Sequence, residues 1–364
     1  MSNTALFSPM KVGKHELKHR IALVPLTRFR ADENAVPTDL QAEYYEQRAT
    51  DGGLLITEAT FITHKAGSYP RAPGIYTKEQ IEGWKKVTQR VHAKGGVIFL
   101  QLWHIGRAAM SANIGEQPVS ASDIAIEGVN LLGLPQEKPR ALSIPDIKEI
   151  VGQYRQAALN AMEAGFDGVE IHSANGYLLD QFLNTSSNKR TDIYGGSAEN
   201  RCRFPLEVVD AVIDAVGAER TGIRFSPWSG FQDMADEKPY ETWGYITQAL
   251  QDRHPDMAYL DFIEPRADFQ ADSYDEKQAD TLDPFRQIWK GPFISAGGYT
   301  YNTQAAFDVA EKTGNMIGFG RLFISNPDLV ERLRNGWPLN KYDRNTFYTN
   351  DAAGYTDYPF YKKD

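Results

Sequence analysis

Residues 168–181 hold the side chains with the clearest potential for chemistry. The apolar run Gly168-Val-Glu-Ile171 is typical of a buried strand, and His172, Asn175 and Tyr177 follow where that strand would end. His172 and Asn175 can both donate hydrogen bonds to one oxygen atom, and Tyr177 offers a phenolic proton two residues later. Two donors beside an acid suit a site that polarises a carbonyl and protonates a neighbouring carbon. The same string would also fit an ordinary junction between a strand and a loop.

Two glycine-rich turns near the end of the chain predict a phosphate site. Ser295-Ala-Gly-Gly-Tyr299 is expected to open a helix after a seventh strand, and Gly318-Phe-Gly-Arg321 is expected to follow an eighth. Glycine lets the backbone approach a ligand closely, helix N-termini present N–H groups, and Arg321 offers a bidentate fork. The alternative is that these glycines serve only as tight turns.

Composition limits the classes of function. The 364 residues can form two or three average domains or one large barrel, and 41% hydrophobic residues are enough for a sizeable core. A net charge of −9 disfavours binding to nucleic acids or to anionic membranes. Cys202 is the only cysteine, which excludes a disulfide framework and a thiolate metal cluster. No run has the length of a signal peptide core or a membrane span, so we expect a soluble, cytoplasmic protein.

The elements that must position these residues alternate along the whole chain. Each strand candidate is a short apolar run bounded by glycine, proline or charge, which is typical of parallel strands covered on both faces. The strand candidates are 21–27, 53–61, 96–103, 168–173, 221–227, 257–264, 292–296 and 316–319. The helix candidates are 39–50, 78–94, 144–165, 199–216, 240–254, 283–289, 303–313 and 328–335.

Eight strands, each followed by a helix, predict a single α/β domain over residues 1–364, folded as a (β/α)8 TIM barrel. A doubly wound open sheet is the alternative, but no G-x-G-x-x-G motif follows the first strand. We expect a β-hairpin over about 7–20 that closes the lower end of the barrel. Long loops should follow strands three and four, at about 105–143 and 175–198, and about 337–364 should form a C-terminal extension.

A (β/α)8 barrel gathers its chemistry at the carboxyl ends of its strands. Besides the residues already described, those ends hold Pro25-Leu-Thr27 and Gln101-Leu-Trp103-His104, and Arg224 lies inside strand five. The mixture of hydrogen-bonding groups, cations and glycine turns suits a flat heteroaromatic ligand that carries a phosphate. It does not suit a divalent metal, because the sequence shows no cluster of carboxylates or histidines.

With these motifs in order, the chain resembles the old yellow enzyme family of FMN-dependent ene-reductases on a (β/α)8 barrel. The resemblance runs from about residue 7 to 361. It rests on Pro25-Leu-Thr-Arg28, Gln101-Leu-Trp-His-Ile-Gly-Arg107, His172-Ser-Ala-Asn-Gly-Tyr-Leu-Leu-Asp-Gln-Phe182, Asn188-Lys-Arg-Thr-Asp-Ile-Tyr-Gly-Gly196, Glu199-Asn-Arg201 and Gly320-Arg-Leu-Phe-Ile-Ser-Asn-Pro-Asp328.

The resemblance implies FMN as cofactor and assigns residues to each part of it. Thr27 would bond a flavin carbonyl, Gln101 would hold the pyrimidine edge, and Arg224 would lie where reduced flavin accumulates negative charge. The remaining contacts implied for the cofactor are Pro25, Leu26, Ala59, Gly297, Gly298, Gly320 and Arg321, the last three at the phosphate. Thr27 and Asn175 place the resemblance in the branch that has threonine, not cysteine, near the flavin.

The resemblance also implies a reaction in two halves. Hydride would pass from NADPH or NADH to the flavin, and then to the β-carbon of an α,β-unsaturated carbonyl compound, a nitroalkene or a quinone. His172 and Asn175 would bind the substrate oxygen, and Tyr177 would protonate the α-carbon. The implied substrate pocket consists of Tyr69, Trp103, Phe269 and Tyr348.

Two other functions stay open at this point. One is a flavin-free, phosphate-binding barrel isomerase or lyase, in which Arg224 and Gln101 would contact a sugar phosphate. The other is a flavin barrel that has been repurposed as a pathway isomerase. The sequence also leaves open the natural substrate, the preferred nicotinamide, and whether the protein is a monomer or a homodimer.

Overall fold

Eight parallel strands close into a barrel in the computed structural model, which describes residues 4–67, 69–129, 133–268, 273–274 and 278–362. Each strand pairs with the next in sequence, and the eighth pairs with the first. The barrel strands are β1 (Ile21–Leu23), β2 (Leu54–Ile56), β3 (Val97–Trp103), β4 (Gly168–Ser173), β5 (Thr221–Phe225), β6 (Tyr259–Ile263), β7 (Phe293–Ala296) and β8 (Met316–Phe319). The predicted fold class is confirmed.

One principal helix follows each strand and covers the outside of the barrel. These helices are α1 (Asp39–Arg48), α2 (Lys78–Ala93), α3 (Ile144–Glu163), α4 (Ala198–Val216), α5 (Pro239–Arg253), α6 (Asp283–Ile288), α7 (Thr303–Thr313) and α8 (Leu329–Asn335). Capping residues fix the N-termini of several of these helices. At α3, for example, Ser143 accepts a hydrogen bond from the backbone N–H of Asp146, and the Asp146 carboxylate accepts one from the backbone of Ser143.

The N-terminal hairpin plugs the amino end of the barrel. Met10–Val12 pairs with His15–Leu17 in antiparallel fashion, and Val12 and Leu17 are fully buried in the cluster of apolar side chains that fills the barrel. The connecting turn lies close to the start of β5. A Cβ atom added to Gly13 would come within 2.0 Å of the carbonyl oxygen of Glu219, so only glycine fits there.

Several boundaries differ from the sequence prediction by a few residues, and three differences concern the mouth of the barrel. β1 ends at Leu23, so Pro25-Leu-Thr27 lies in the loop that follows it. The candidate 53–61 consists of β2 and a separate two-residue strand, Thr60–Phe61, that pairs with the end of β3. The expectation that Ser295–Tyr299 opens a helix is wrong, because Ser295 and Ala296 belong to β7 and α7 begins only at Thr303.

Long segments at the mouth supply the remaining walls. The connection after β3 contains a short helix, Ser111–Ile114, and two paired strands, Val119–Ser120 and Arg140–Ala141. The connection after β4 contains the helix Leu178–Leu183. None of the described helices combines the length and the hydropathy that a membrane crossing requires.

Buried arginines anchor the C-terminal segment to the mouth. Arg28 donates hydrogen bonds to the carbonyl oxygens of Phe347 and Gly354, and Arg30 donates to those of Thr346 and Phe347. Arg48 donates to the carbonyl oxygen of Tyr355. Because these bonds go to backbone oxygens, they fix the path of the segment and not merely its side chains.

Candidate active site

A cavity of about 530 Å³ lies at the carboxyl ends of the barrel strands. The structure brings together every residue that was predicted for the site except Phe269, which lies outside the described residues. The residues that line the cavity include Pro25, Leu26, Thr27, Ala59, Tyr69, Gln101, Trp103, His172, Asn175, Tyr177, Arg224, Gly297, Gly298, Gly320, Arg321 and Tyr348. The volume falls within the usual range for small-molecule and cofactor sites.

Glycine backbone and Arg321 contribute to the end of the cavity at β7 and β8. Gly297 and Gly298 have φ values of 107° and 81°, which side chains rarely tolerate. A Cβ atom on Gly297 would lie 2.6 Å from the Cβ of Ala267. The guanidinium of Arg321 donates a hydrogen bond to the hydroxyl of Tyr301 at the same end. Bare backbone beside a guanidinium is an environment that suits an anionic group.

Polar side chains of the barrel interior form the floor of the cavity. The Nε2 of Gln101 donates to Oε1 of Glu170 at 2.8 Å, and Nη1 of Arg224 donates to Oδ2 of Asp261 at 2.7 Å. Burial raises the pKa of Glu170, and the charge of Asp261 raises it further. Burial also raises the pKa of Asp261, while Arg224 lowers it.

The sequence prediction missed Glu170 and Asp261. A signal was present, since each is an acidic residue in the middle of an otherwise apolar strand candidate. The prediction also missed several residues that line the cavity, and four of them have no local pattern that marks them, because they come from loops and from the C-terminal segment. They are Phe231, Tyr301, Arg344 and Phe347.

A tight turn after β4 presents the predicted catalytic residues. Asn175 adopts the left-handed conformation, with φ at 57°, and its backbone N–H donates to Oγ of Ser226 at 2.7 Å. Asparagine tolerates this conformation better than most residues do. The N–H of Gly176 then donates to Oδ2 of Asp180 at 2.8 Å, and Tyr177 caps the helix that follows. The turn therefore places Asn175 and Tyr177 on the cavity wall beside β4.

The imidazole of His172 packs among aromatic rings at this end. Its ring centroid lies 5.1 Å from that of Tyr177, at an angle of 85°, and 6.4 Å from that of Trp103. The Nδ1 of His172 and the Oδ1 of Asn175 are buried and have no hydrogen-bond partner among the described residues. Buried polar atoms are normally satisfied, so such atoms at a cavity wall indicate a place for a polar ligand.

Burial also sets the protonation of the two titratable groups. It lowers the pKa of His172 to about 3, with a further lowering from the charge of Arg224, so the imidazole is neutral near pH 7. Burial raises the pKa of Tyr177 well above its usual value, and the neighbouring Tyr69 and Tyr348 raise it further. The site therefore contains a neutral hydrogen-bonding histidine and a phenol that keeps its proton at alkaline pH.

Aromatic side chains enclose the outer part of the cavity. Trp103 stacks on Phe61 at 4.7 Å, and Tyr69 lies 5.8 Å from Trp103. Tyr348, from the anchored C-terminal segment, lies 5.6 Å from Phe29 and is 60% exposed.

Within the part of the chain that the structure describes, no three His, Cys, Asp or Glu side chains form a group that could hold a metal ion.

Comparisons with known proteins agree with this geometry. A profile of the NADH:flavin oxidoreductase / NADH oxidase family matches residues 5–340. The chain is 49% identical over 358 residues to 12-oxophytodienoate reductase 1 of Oryza sativa subsp. japonica, which covers 98% of this chain and 93% of that one. The old yellow enzyme homologue from Zymomonas mobilis matches with a TM-score of 0.90 and 42% identity, over 97% of this chain and 99% of that one. Morphinone reductase in complex with tetrahydroNAD matches with a TM-score of 0.90 and 44% identity, over 99% and 98% of the two chains.

Fold and site thus define a flavin-dependent oxidoreductase barrel. The chain belongs to the NADH:flavin oxidoreductase / NADH oxidase family and, within it, to the old yellow enzymes. It is an NAD(P)H-dependent ene-reductase with FMN as its cofactor. The flavin-free isomerase or lyase considered from the sequence is therefore not the function of this chain.

The cavity fits FMN by its own chemistry. Its glycine-lined end leaves little room for side chains, since a Cβ atom on Gly320 would lie 3.0 Å from Cδ2 of Leu26. The cavity extends from this end, where Arg321 lies, across Gln101 and Arg224 to His172. An end suited to an anion, a polar floor and an aromatic wall lie in one cavity, as the phosphate and ring system of FMN and a substrate would require.

Proposed function

We propose that this protein reduces activated carbon–carbon double bonds, in α,β-unsaturated carbonyl compounds, nitroalkenes and quinones, with two electrons from a reduced nicotinamide. The observation that carries the proposal is the meeting of His172, Asn175 and Tyr177 at one wall of the cavity. Two of them bring buried polar atoms without partners among the described residues, and the third is a phenol with a raised pKa.

Residues from six strand ends would hold the cofactor. Arg321 and the turns of Gly298 and Gly320 would bind its phosphate, and Gln101 and Arg224 would contact the pyrimidine side of its ring system. Thr27, with Pro25, Leu26, Ala59 and Gly297, would complete the contacts. Bound FMN supplies a two-electron carrier that takes hydride from the nicotinamide and passes it to the substrate.

His172 and Asn175 would bind the oxygen of the substrate. Electron density moves toward this oxygen as hydride arrives at the β-carbon, so the two hydrogen bonds strengthen in the transition state. Because the imidazole is neutral, His172 acts as a hydrogen-bond donor and does not protonate the oxygen outright. The neutral ring also avoids placing a second cation beside Arg224.

Tyr177 would complete the reaction by protonating the α-carbon. Hydride at the β-carbon and a proton at the α-carbon together balance the saturation of the double bond. The raised pKa of Tyr177 keeps the phenol protonated over the working pH range, and solvent restores the proton after each turnover. Hydride and proton would arrive from opposite faces of the substrate, which gives trans addition.

The names of two relatives agree with a substrate that carries a carbonyl. One reduces, by its name, an oxo-dienoate, and the other a morphinone. The pocket formed by Tyr69, Trp103 and Tyr348 would select among such compounds by shape. Phe269 stays a prediction for the same pocket.

Isotope labelling tests the proposal directly. Under anaerobic conditions, the protein with FMN is mixed with a cyclic enone and a nicotinamide that carries deuterium at its C4 position. We expect deuterium at the β-carbon of the product, and a parallel reaction in D₂O should place deuterium at the α-carbon. A product that is isomerised without net reduction would instead support the repurposed pathway isomerase.

A further inference from the structure

Two acidic residues lie inside the barrel next to the side chains that form the polar floor. Glu170 is in register with Gln101 on β3, and Asp261 is in register with Arg224 on β5. Both acids are completely buried. They do not line the cavity, so a ligand in the cavity would meet them only through Gln101 and Arg224.

Burying two carboxyl groups here is costly for the fold. Glu170 accepts a side-chain hydrogen bond from Gln101 at 2.8 Å, and Asp261 accepts one from Arg224 at 2.7 Å. Oε2 of Glu170 and Oδ1 of Asp261 find no partner among the described residues. A well-packed apolar residue is often as stable as a buried ion pair or more so, so stability alone does not explain these acids.

The groups that face Glu170 lie on β3, β5 and β6. Arg224 lies on β5, and Asp261 and the phenol of Tyr259 lie on β6. Gln101 on β3 contributes a dipole, and His172 on β4 itself is neutral. One cation against two acids leaves the group neutral only if one acid keeps its proton, and burial together with repulsion from Asp261 makes Glu170 that acid.

From this arrangement we infer that Asp261 and Glu170 are positioning residues that set the reduction potential of the bound flavin. Asp261 would offset part of the positive charge of Arg224 and fix its guanidinium, and Glu170 would orient the carboxamide of Gln101. The inference rests on the proposed function, in which Gln101 and Arg224 contact the pyrimidine side of the flavin.

The expected direction follows from the charges. Reduction adds negative charge next to Arg224, and the carboxylate of Asp261 opposes that charge at short range. Replacing Asp261 with asparagine removes the opposing charge and keeps the shape. The reduced flavin should then be favoured at least about tenfold, which raises the potential of a two-electron couple by about 30 mV.

Redox titration of the complete holoprotein tests the inference. Asp261→Asn and Glu58→Gln are prepared with FMN and titrated anaerobically beside the wild type at pH 7, with absorbance spectra reporting the oxidised fraction. Glu58 is the control, because it is also a buried acid that accepts a side-chain hydrogen bond, but its partner is Gln41 and not Arg224. Only Asp261→Asn should raise the potential.

A measurement on the wild type tests the role of Glu170 even if a variant does not fold. Over the pH range where Glu170 ionises, reduction of the flavin should be accompanied by uptake of a proton at Glu170. One extra proton per two electrons makes the potential of the flavin fall more steeply with rising pH, by about 30 mV per pH unit. The steeper region should be present in the wild type and absent in Glu170→Gln. A single slope in the wild type would overturn the role of Glu170.

Arg224→Gln separates this inference from the proposed function. A potential that is unchanged in Arg224→Gln would mean that Arg224 does not face the flavin, and the proposed site itself would fail. A potential that falls in Arg224→Gln but stays unchanged in Asp261→Asn would reject only the role of Asp261. FMN content and far-ultraviolet spectra of each variant establish that intact holoprotein is compared.

Discussion

The two ends of the cavity use different materials for recognition. The end at β7 and β8 presents glycine backbone beside Arg321 and Tyr301, whereas the end at β4 presents the side chains of His172, Asn175 and Tyr177, packed among aromatic rings. Glycine backbone beside a guanidinium suits the phosphate of the cofactor, which must stay bound and does not react during turnover. Side chains with adjusted pKa values suit a group whose charge changes during the reaction.

This contrast predicts that the two ends fail in different ways. Damage at the β4 end should slow chemistry and leave the cofactor in place. Damage at the β7 and β8 end should release the cofactor and leave the chemistry of the remaining holoprotein nearly intact. The predictions below test this separation.

Tyr177→Phe should have the largest effect. Removing the proton donor should slow reduction of an enone by about 10²–10⁴-fold, the range typical of general acids. Reduction of the flavin by nicotinamide should hardly change, because that half of the reaction needs no phenolic proton. Stopped-flow spectroscopy of each half-reaction makes the measurement.

Tyr69→Phe is the matched control for Tyr177→Phe. It removes a second phenol of the same cavity, whose hydroxyl donates to the carbonyl oxygen of Ala108 at 3.0 Å. It should slow enone reduction much less than Tyr177→Phe does. Equal slowing of both half-reactions in Tyr177→Phe would contradict the assignment.

His172→Ala should have the next largest effect. The loss of one donor to a developing oxyanion typically costs about 10²–10³-fold in rate, and here the loss should fall on enone reduction. FMN binding, measured by fluorescence quenching, should stay close to that of the wild type. A variant that lost FMN while its remaining holoprotein kept a normal rate would reverse the roles of the two ends.

Arg321→Ala should weaken the cofactor end. A charge-assisted hydrogen bond contributes about 1.5–3 kcal/mol, so the dissociation constant of FMN should rise by about 10- to 100-fold. The loss on dialysis should be greater at high ionic strength, because salt screens the remaining electrostatic attraction. Equal retention of FMN by variant and wild type would place the phosphate elsewhere.

The pH dependence of stability gives the smallest effect. The pKa of His172 is about 3 in the folded protein and 6.5 in a model peptide, so the unfolded chain binds the extra proton between these values. The free energy of unfolding should therefore fall as pH decreases below 6.5, by up to about 1.4 kcal/mol per pH unit from this residue. Urea unfolding at two acidic pH values should show a shallower fall in His172→Asn. An unchanged slope would mean that the imidazole is solvated.

Much of the fold could be predicted because its signals are local. The runs 168–173 and 316–319 were predicted with the bounds that the structure shows, since both are apolar segments closed by a change of residue type. The site residues at the strand ends followed from one rule of barrel architecture, that strand ends converge at one mouth, whereas the family resemblance supplied Ala59, Tyr69 and Tyr348. Their chemical roles remain predictions that the experiments above test.

What could not be predicted depends on contacts between distant segments. Glu170 and Asp261 are ordinary residues in sequence, and only the closed barrel places them against Gln101 and Arg224. The candidate 303–313 matches α7, but Ser295–Tyr299 does not open that helix, because the glycines at 297 and 298 form a turn in front of it.

The sequence by itself determined the order of strands and helices, the glycine turns and the set of side chains at the strand ends, because hydrophobic periodicity and backbone freedom are properties of neighbouring residues. Only the tertiary structure decided the protonation states of the site residues and the enclosure of the cavity. The low pKa of His172 and the high pKa of Tyr177 arise from burial by other segments. Likewise, Tyr348 reaches the cavity because Arg28 and Arg30 bind backbone oxygens more than 300 positions away.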